Sequence, residues 1–221
     1  MKKNVWVTML LLGISCCFCS CTGEPEPPGG SKEELNKTEL IMYVGDSEII
    51  FYSGTECSWY SDEPQIASVE DGTITAHHIG TTVIHANQAT CTVNVIPMYT
   101  TFKEPYMNWG ATKYEINELM SDYEVTSSDS YTLTYNGKGN VESYFYAFSE
   151  GKLLSSGMQI SYSNGESLIN YLSERYILTE KINETVYMFK SIDGKLEGTI
   201  ELKSSSYSII VLYSPVSWDV Q

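Results

Sequence analysis

Seven short β-rich runs between residues 38 and 97 constrain this chain most. They are 39–44, 48–52, 57–61, 66–69, 73–76, 81–86 and 90–96. Turn-forming residues punctuate them: Gly45-Asp46, Asp62-Glu63-Pro64, Asp71-Gly72 and Ile79-Gly80. Each run is shorter than a stable helix and is rich in Val, Ile and Thr. Thr92-Val93-Asn94-Val95 alternates polar with apolar, as a strand with one buried face must. Seven strands in so short a segment predict a small β-sandwich.

The same segment resembles the bacterial Ig-like domain of group 2. The residues that carry the resemblance are Leu40, Val44-Gly45-Asp46, Trp59, Ser61-Asp62, Ile66-Ala67-Ser68-Val69, Gly72, Ile74-Thr75-Ala76, Gly80-Thr81, Ile84, Ala86 and Thr92-Val93-Asn94-Val95, in the family's order. The resemblance implies an extracytoplasmic spacer or adhesion module and no chemistry. Trp59 is expected as the large aromatic of the core. Gly72 after Asp71 suits a hairpin turn, and Gly80 suits a positive φ before a strand.

Beyond Pro97 the sequence changes character. Fourteen of the seventeen tyrosines lie there, and no Cys or His does. Ile116-Asn117-x-Leu119-x-x-x-Tyr123 reappears as Ile169-Asn170-x-Leu172-x-x-x-Tyr176, an offset of 53. Residues at i, i+3 and i+7 share one helical face, so each copy predicts a helix. Thr112 with Glu115 fits a capping box, and Asn164 fits an N-cap. Tyr146-Ala147-Phe148 followed by Gly151-Lys152-Leu153 is matched by Tyr187-Met188-Phe189 followed by Gly194-Lys195-Leu196. Further strands are expected at 130–135, closed by Asn136-Gly137, and at 207–213. The expected fold is thus an all-β Ig-like sandwich over 38–97, then an α+β domain over 98–221. That second domain would be two helix-plus-antiparallel-strand repeats with the helices on one sheet face.

A tandem unit of this kind resembles the β-lactamase-inhibitor-protein-like fold over residues 105–213, in topology more than in residues. Small outer-membrane assembly lipoproteins share a similar unit, and Trp109-Gly110-Ala111-Thr112 is similar to the start of their first helix. This resemblance implies a periplasm-facing structural, assembly or inhibitor protein.

The first twenty residues read as a lipoprotein signal peptide. Met1-Lys2-Lys3 is basic, and an apolar stretch from Val5 to Phe18 is too short to span a bilayer. A small residue before a cysteine resembles a bacterial lipobox. Ser20-Cys21 with the polar tract behind it is the best match, and Cys17 competes. The resemblance implies acylation of Cys21 and a lipid anchor in the outer membrane. Residues 21–37 form a Pro/Gly-containing acidic tether.

With 13 Lys and Arg against 28 Asp and Glu, the net charge is −15. Nucleic acid is excluded as a partner, since binding it needs a basic footprint. Cys57 and Cys91 lie within one small domain of an exported chain, which invites a disulfide. His77-His78 are an adjacent pair in an expected turn; adjacent residues in extended chain point to opposite faces, so no metal site is expected. Without His or Cys after residue 91, the C-terminal part cannot hold a Ser-His or Cys-His pair. No cofactor is expected, and no enzyme.

The surplus of aromatic residues is then the functional lead. Trp109, Tyr106, Tyr144 and Tyr146 are the expected ligand-binding residues, placed on an uncovered sheet face or in the groove near Trp109. The expected function is a non-enzymatic cell-surface lipoprotein that binds a glycan or a cell-surface protein. The alternative is the periplasm-facing role above.

Overall fold

The computed structural model describes residues 34–203 and 207–217, which form one compact unit. The expected signal peptide, Cys21 and most of the expected tether lie outside the described residues. Seven strands come first: β1 (Glu39–Tyr43), β2 (Ser47–Ile49), β3 (Trp59–Ser61), β4 (Ala67–Glu70), β5 (Thr73–Ala76), β6 (Gly80–Ala86) and β7 (Ala89–Ile96). They form a four-stranded sheet, β1-β7-β6-β3, facing a three-stranded one, β2-β5-β4. This is a β-sandwich compatible with an Ig-like arrangement. Each expected run forms a strand. The run at 48–52 is the shortest match, because Tyr52 leaves β2 and bridges Leu35 instead.

Alternation builds this core. Cys91, Val93 and Val95 of β7 point inward, beside Ile84 and Ala86 of β6, while Thr92 and Asn94 face out. β1 lies parallel to β7, with Leu40 opposite Val93, so the first strand closes the sheet beside the last. Asp71 and Gly72 both have positive φ, 47° and 78°, which gives the β4–β5 turn the twist a hairpin needs. A Cβ on Gly72 would lie 2.5 Å from the Ile50 carbonyl oxygen. Trp59 packs against the core without being fully enclosed.

The rest of the chain is α1 (Lys113–Leu119), β8 (Val125–Ser128), β9 (Thr132–Asn136), β10 (Ser143–Ser149), β11 (Lys152–Ser161), a 3-10 turn (Tyr162–Asn164), α2 (Gly165–Ser173), β12 (Tyr176–Lys181), β13 (Val186–Ser191), β14 (Leu196–Lys203) and β15 (Ser208–Pro215). All eight strands join one antiparallel sheet, β12-β13-β14-β15-β11-β10-β9-β8.

The expected separate α+β domain is therefore corrected: the protein is largely all-β, with sheets of four, three and eight strands. The reason is one of size. Eight strands span about 34 Å at roughly 4.8 Å per strand. Helices of seven and nine residues reach only about 10 and 13 Å. They patch the sheet without forming a layer. Nor does the sheet stand apart from the sandwich: Ile192 packs on the sandwich core, and the Ile79 N–H donates to the Glu174 carbonyl at 2.8 Å.

After the sandwich the order of elements recurs. Each copy is a helix followed by a four-strand meander, and the copies meet back to back through their last strands, β11 and β15. The Thr112–Glu115 capping box forms, whereas Asn164 makes no side-chain cap bond. The match of Tyr146–Leu153 with Tyr187–Leu196 is out of step with this repeat. It aligns the third and fourth strands of one copy with the second and third of the other.

Candidate functional site

The sheet tyrosines named from sequence are not an open face. Tyr144 is 2 % exposed and Tyr146 is 1 % exposed. Tyr106 and Trp109 are half-buried and pack against the same core. Tyr106 and Trp109 belong to the irregular segment between β7 and α1, which covers Tyr144 and Tyr146. The Tyr144 hydroxyl donates to the Lys103 carbonyl at 2.8 Å, and the Tyr146 hydroxyl accepts the Tyr106 N–H at 3.3 Å. Phe102 and Ala111 of that segment are buried. Burial pushes both tyrosine hydroxyls far above their ordinary value of 10. The Tyr144 and Tyr146 hydroxyls are thus used inside the fold, on backbone groups of residues 103 and 106 and on Met120 Sδ at 3.3 Å.

The segment also reaches the second repeat. Glu104 Oε1 accepts the hydroxyls of Tyr176 at 2.8 Å and Tyr213 at 3.2 Å. Burial raises the Glu104 carboxyl above its ordinary value, against the pull of those two hydroxyls and Arg175. Close by, the Arg175 guanidinium lies 3.6 Å from the centre of the Tyr171 ring and donates to the Tyr171 and Tyr99 carbonyls.

The open site lies beside α2. A pocket of about 540 Å³ sits between this helix and strands β12–β15, within the range of small-ligand sites. Its floor is Leu168, Leu172, Phe189, Ile200 and Ile209. Its rim carries Ile169 and Leu178, each 61 % exposed. Covering two such side chains would be worth roughly 1.5–3 kcal/mol each. Polar lining comes from Tyr162, Tyr187, Asn170 and Ser173, and Glu166 is the one charged lining residue.

Sequence reasoning missed this pocket, although a signal was there. Ile116 and Ile169 match in the sequence as members of one helical face each. Ile116 is buried with Met120, but α2 is turned so that Leu168 and Leu172 are buried and Ile169 faces out. The apolar stripe of α2 is wider than the sheet can cover, and that excess marks the site.

The sandwich holds the remaining candidates. Cys91 is buried and Cys57 is half-buried. Cys91 points into the core from β7, while Cys57 lies in the loop before β3. The histidines are used separately. His77 Nε2 lies 2.8 Å from Ser68 Oγ, and His78 Nδ1 lies 2.6 Å from the Gln65 carbonyl oxygen. His85 stacks on Tyr60 with ring centres 4.3 Å apart and meets Asp62 at 3.0 Å. Among the described residues no three His, Cys, Asp or Glu side chains converge as metal ligands. No family model matches the chain, and no curated protein does.

Proposed function

We propose that this chain is a non-enzymatic binding protein of the bacterial cell envelope. In this reading Cys21 carries a lipid anchor in the outer membrane, the acidic tether and the group 2 bacterial Ig-like sandwich act as spacer, and the eight-stranded sheet presents the ligand site at the cell surface. The observation that carries the reading is the pocket beside α2. It is open, apolar and lined by neither His nor Cys. Such a lining favours a protein over a glycan, because sugars need many hydrogen-bonding partners and this pocket offers few.

The alternative is a periplasm-facing structural, assembly or inhibitor protein. The tandem helix-and-meander topology supports it through the resemblance to the β-lactamase-inhibitor-protein-like fold.

Proteinase K treatment of intact cells separates the two. Loss of the C-terminal part while a periplasmic control survives is the expected result. Full protection would overturn surface display in favour of the alternative. Radiolabelled palmitate should enter the wild-type chain and not a Cys21→Ala variant; equal labelling would refute the anchor.

A further inference from the structure

The two repeats cover their sheet faces differently. In the first, the segment ahead of α1 lies over β10, held by the Tyr144 and Tyr146 hydroxyls, with Phe102 buried and Tyr106, Met107 and Trp109 packed on the core. In the second, β11 ends at Ser161 and α2 begins at Gly165, with only a 3-10 turn between. No counterpart of that segment exists there. Gly198, opposite Phe189, carries that ring against its backbone. The second repeat has no covering segment of its own ahead of α2, and the pocket stands beside that helix.

Charge narrows the occupant. Glu166 is exposed at the first turn of α2, carries no partner among the described residues, and is the one charge in the lining. The chain as a whole carries −15. A fatty acid or an anionic lipid would bring like charge to this rim. So would the chain's own tether, which has Glu24, Glu26, Glu33 and Glu34 and no aromatic residue.

We propose that the pocket receives a peptide segment of a partner protein, with a large apolar or aromatic side chain flanked by Lys or Arg, in the manner that residues 99–109 cover the first repeat. This rests on the reading of the pocket as the ligand site.

The test uses the chain without residues 1–21, which keeps every described residue. Two fluorescein-labelled peptides serve as probes: residues 99–109 of this chain, and the same peptide with Glu104→Lys. A dansyl-labelled fatty acid is the third probe. Both peptides should bind by fluorescence anisotropy, the Lys version about fivefold tighter, the size of one exposed ion pair. Glu166→Gln should abolish that preference. Ile169→Arg, at an exposed position that leaves folding intact by circular dichroism, should weaken both peptides at least tenfold. Absence of peptide binding, or binding unchanged in Ile169→Arg, overturns the inference. If the fatty acid alone binds, and Ile169→Arg removes it, the pocket stands as the ligand site and the peptide inference falls. If no probe responds to Ile169→Arg, the pocket reading falls with it.

Discussion

The Glu174 carboxylate holds the backbone of Met98, whose N–H donates to Glu174 Oε1 at 2.9 Å. Its other oxygen accepts the Tyr99 N–H at 3.0 Å and faces Arg175 at 3.3 Å. Glu174 is 2 % exposed. These bonds fix the point where the chain leaves β7 of the sandwich and starts across the sheet. The Ile79 N–H on the Glu174 carbonyl ties the sandwich to the same residue. Sandwich and sheet are thereby joined at the end of α2.

Glu174→Ala should destabilise the protein by about 3 kcal/mol, since it strands two N–H groups and leaves Arg175 without its carboxylate. Urea unfolding measures the loss. Limited proteolysis should also show new cleavage between residues 97 and 103. A variant with unchanged midpoint and digestion pattern would refute the junction role.

Glu104 gives a pH signature. Its carboxyl is raised by burial, so the folded state binds its proton more tightly than the unfolded state does. A raised group contributes most when protonated and loses that contribution as pH rises through its folded value. Glu104→Gln keeps an oxygen for the Tyr176 and Tyr213 hydroxyls and cannot ionise. Its melting temperature should match wild type near pH 4 and exceed it increasingly towards about pH 7. Thermal scans across that range check the sign; a Gln variant less stable at pH 7 than wild type contradicts it.

Much of the sandwich was legible because its signals are local. Strands β5, β6 and β7 alternate, and residues such as Asp71-Gly72 mark the turns. The repeat was half legible. The Ile116/Ile169 match located both helices, but β8 is exposed along its whole length and gives no alternation to detect. Its exposure comes from its place at the sheet edge, which is a tertiary fact. The tyrosines misled for a related reason. Tyr144 and Tyr146 look like a binding platform until the segment carrying Lys103 and Tyr106 is laid over them, and no local pattern foretells that crossing.

The Cys91 thiol should react slowly in the folded protein. Cys91 is enclosed in the sandwich core, and burial pushes its thiol above the ordinary 9.0. Both a rise in pKa and loss of access slow attack on an aromatic disulfide reagent. Cys91 should stay unlabelled in the native protein and react only on unfolding, with mass spectrometry identifying the site. Fast labelling of Cys91 in the folded protein would contradict the buried placement, and no reaction in denaturant without reductant would establish a disulfide.

The last expectation concerns two glycines that let aromatic rings lie across the sheet. Gly157 stands opposite Phe145 in the β10–β11 pair, and Gly198 stands opposite Phe189 in the β13–β14 pair. A Cβ on Gly157 would come 2.2 Å from the Phe145 ring and 2.7 Å from the Val211 carbonyl oxygen. On Gly198 it would come 2.2 Å from the Phe189 ring and 2.4 Å from the Leu212 carbonyl oxygen. A ring can swing aside, but a ladder carbonyl cannot without breaking its strand pairing. The two sites differ in what the ring supports. Phe189 is buried between Tyr176 and Tyr213, with ring centres 4.8 and 5.5 Å away, while Phe145 is only half-buried. Gly198→Ala should therefore cost more, about 3 kcal/mol against roughly 1–2 for Gly157→Ala, the range of overpacking. Because Phe189 also floors the pocket, Gly198→Ala should weaken ligand binding as well, whereas Gly157→Ala should leave it unchanged. Equilibrium unfolding of the two variants side by side checks the order, and equal losses would show that the carbonyl clash alone sets the cost.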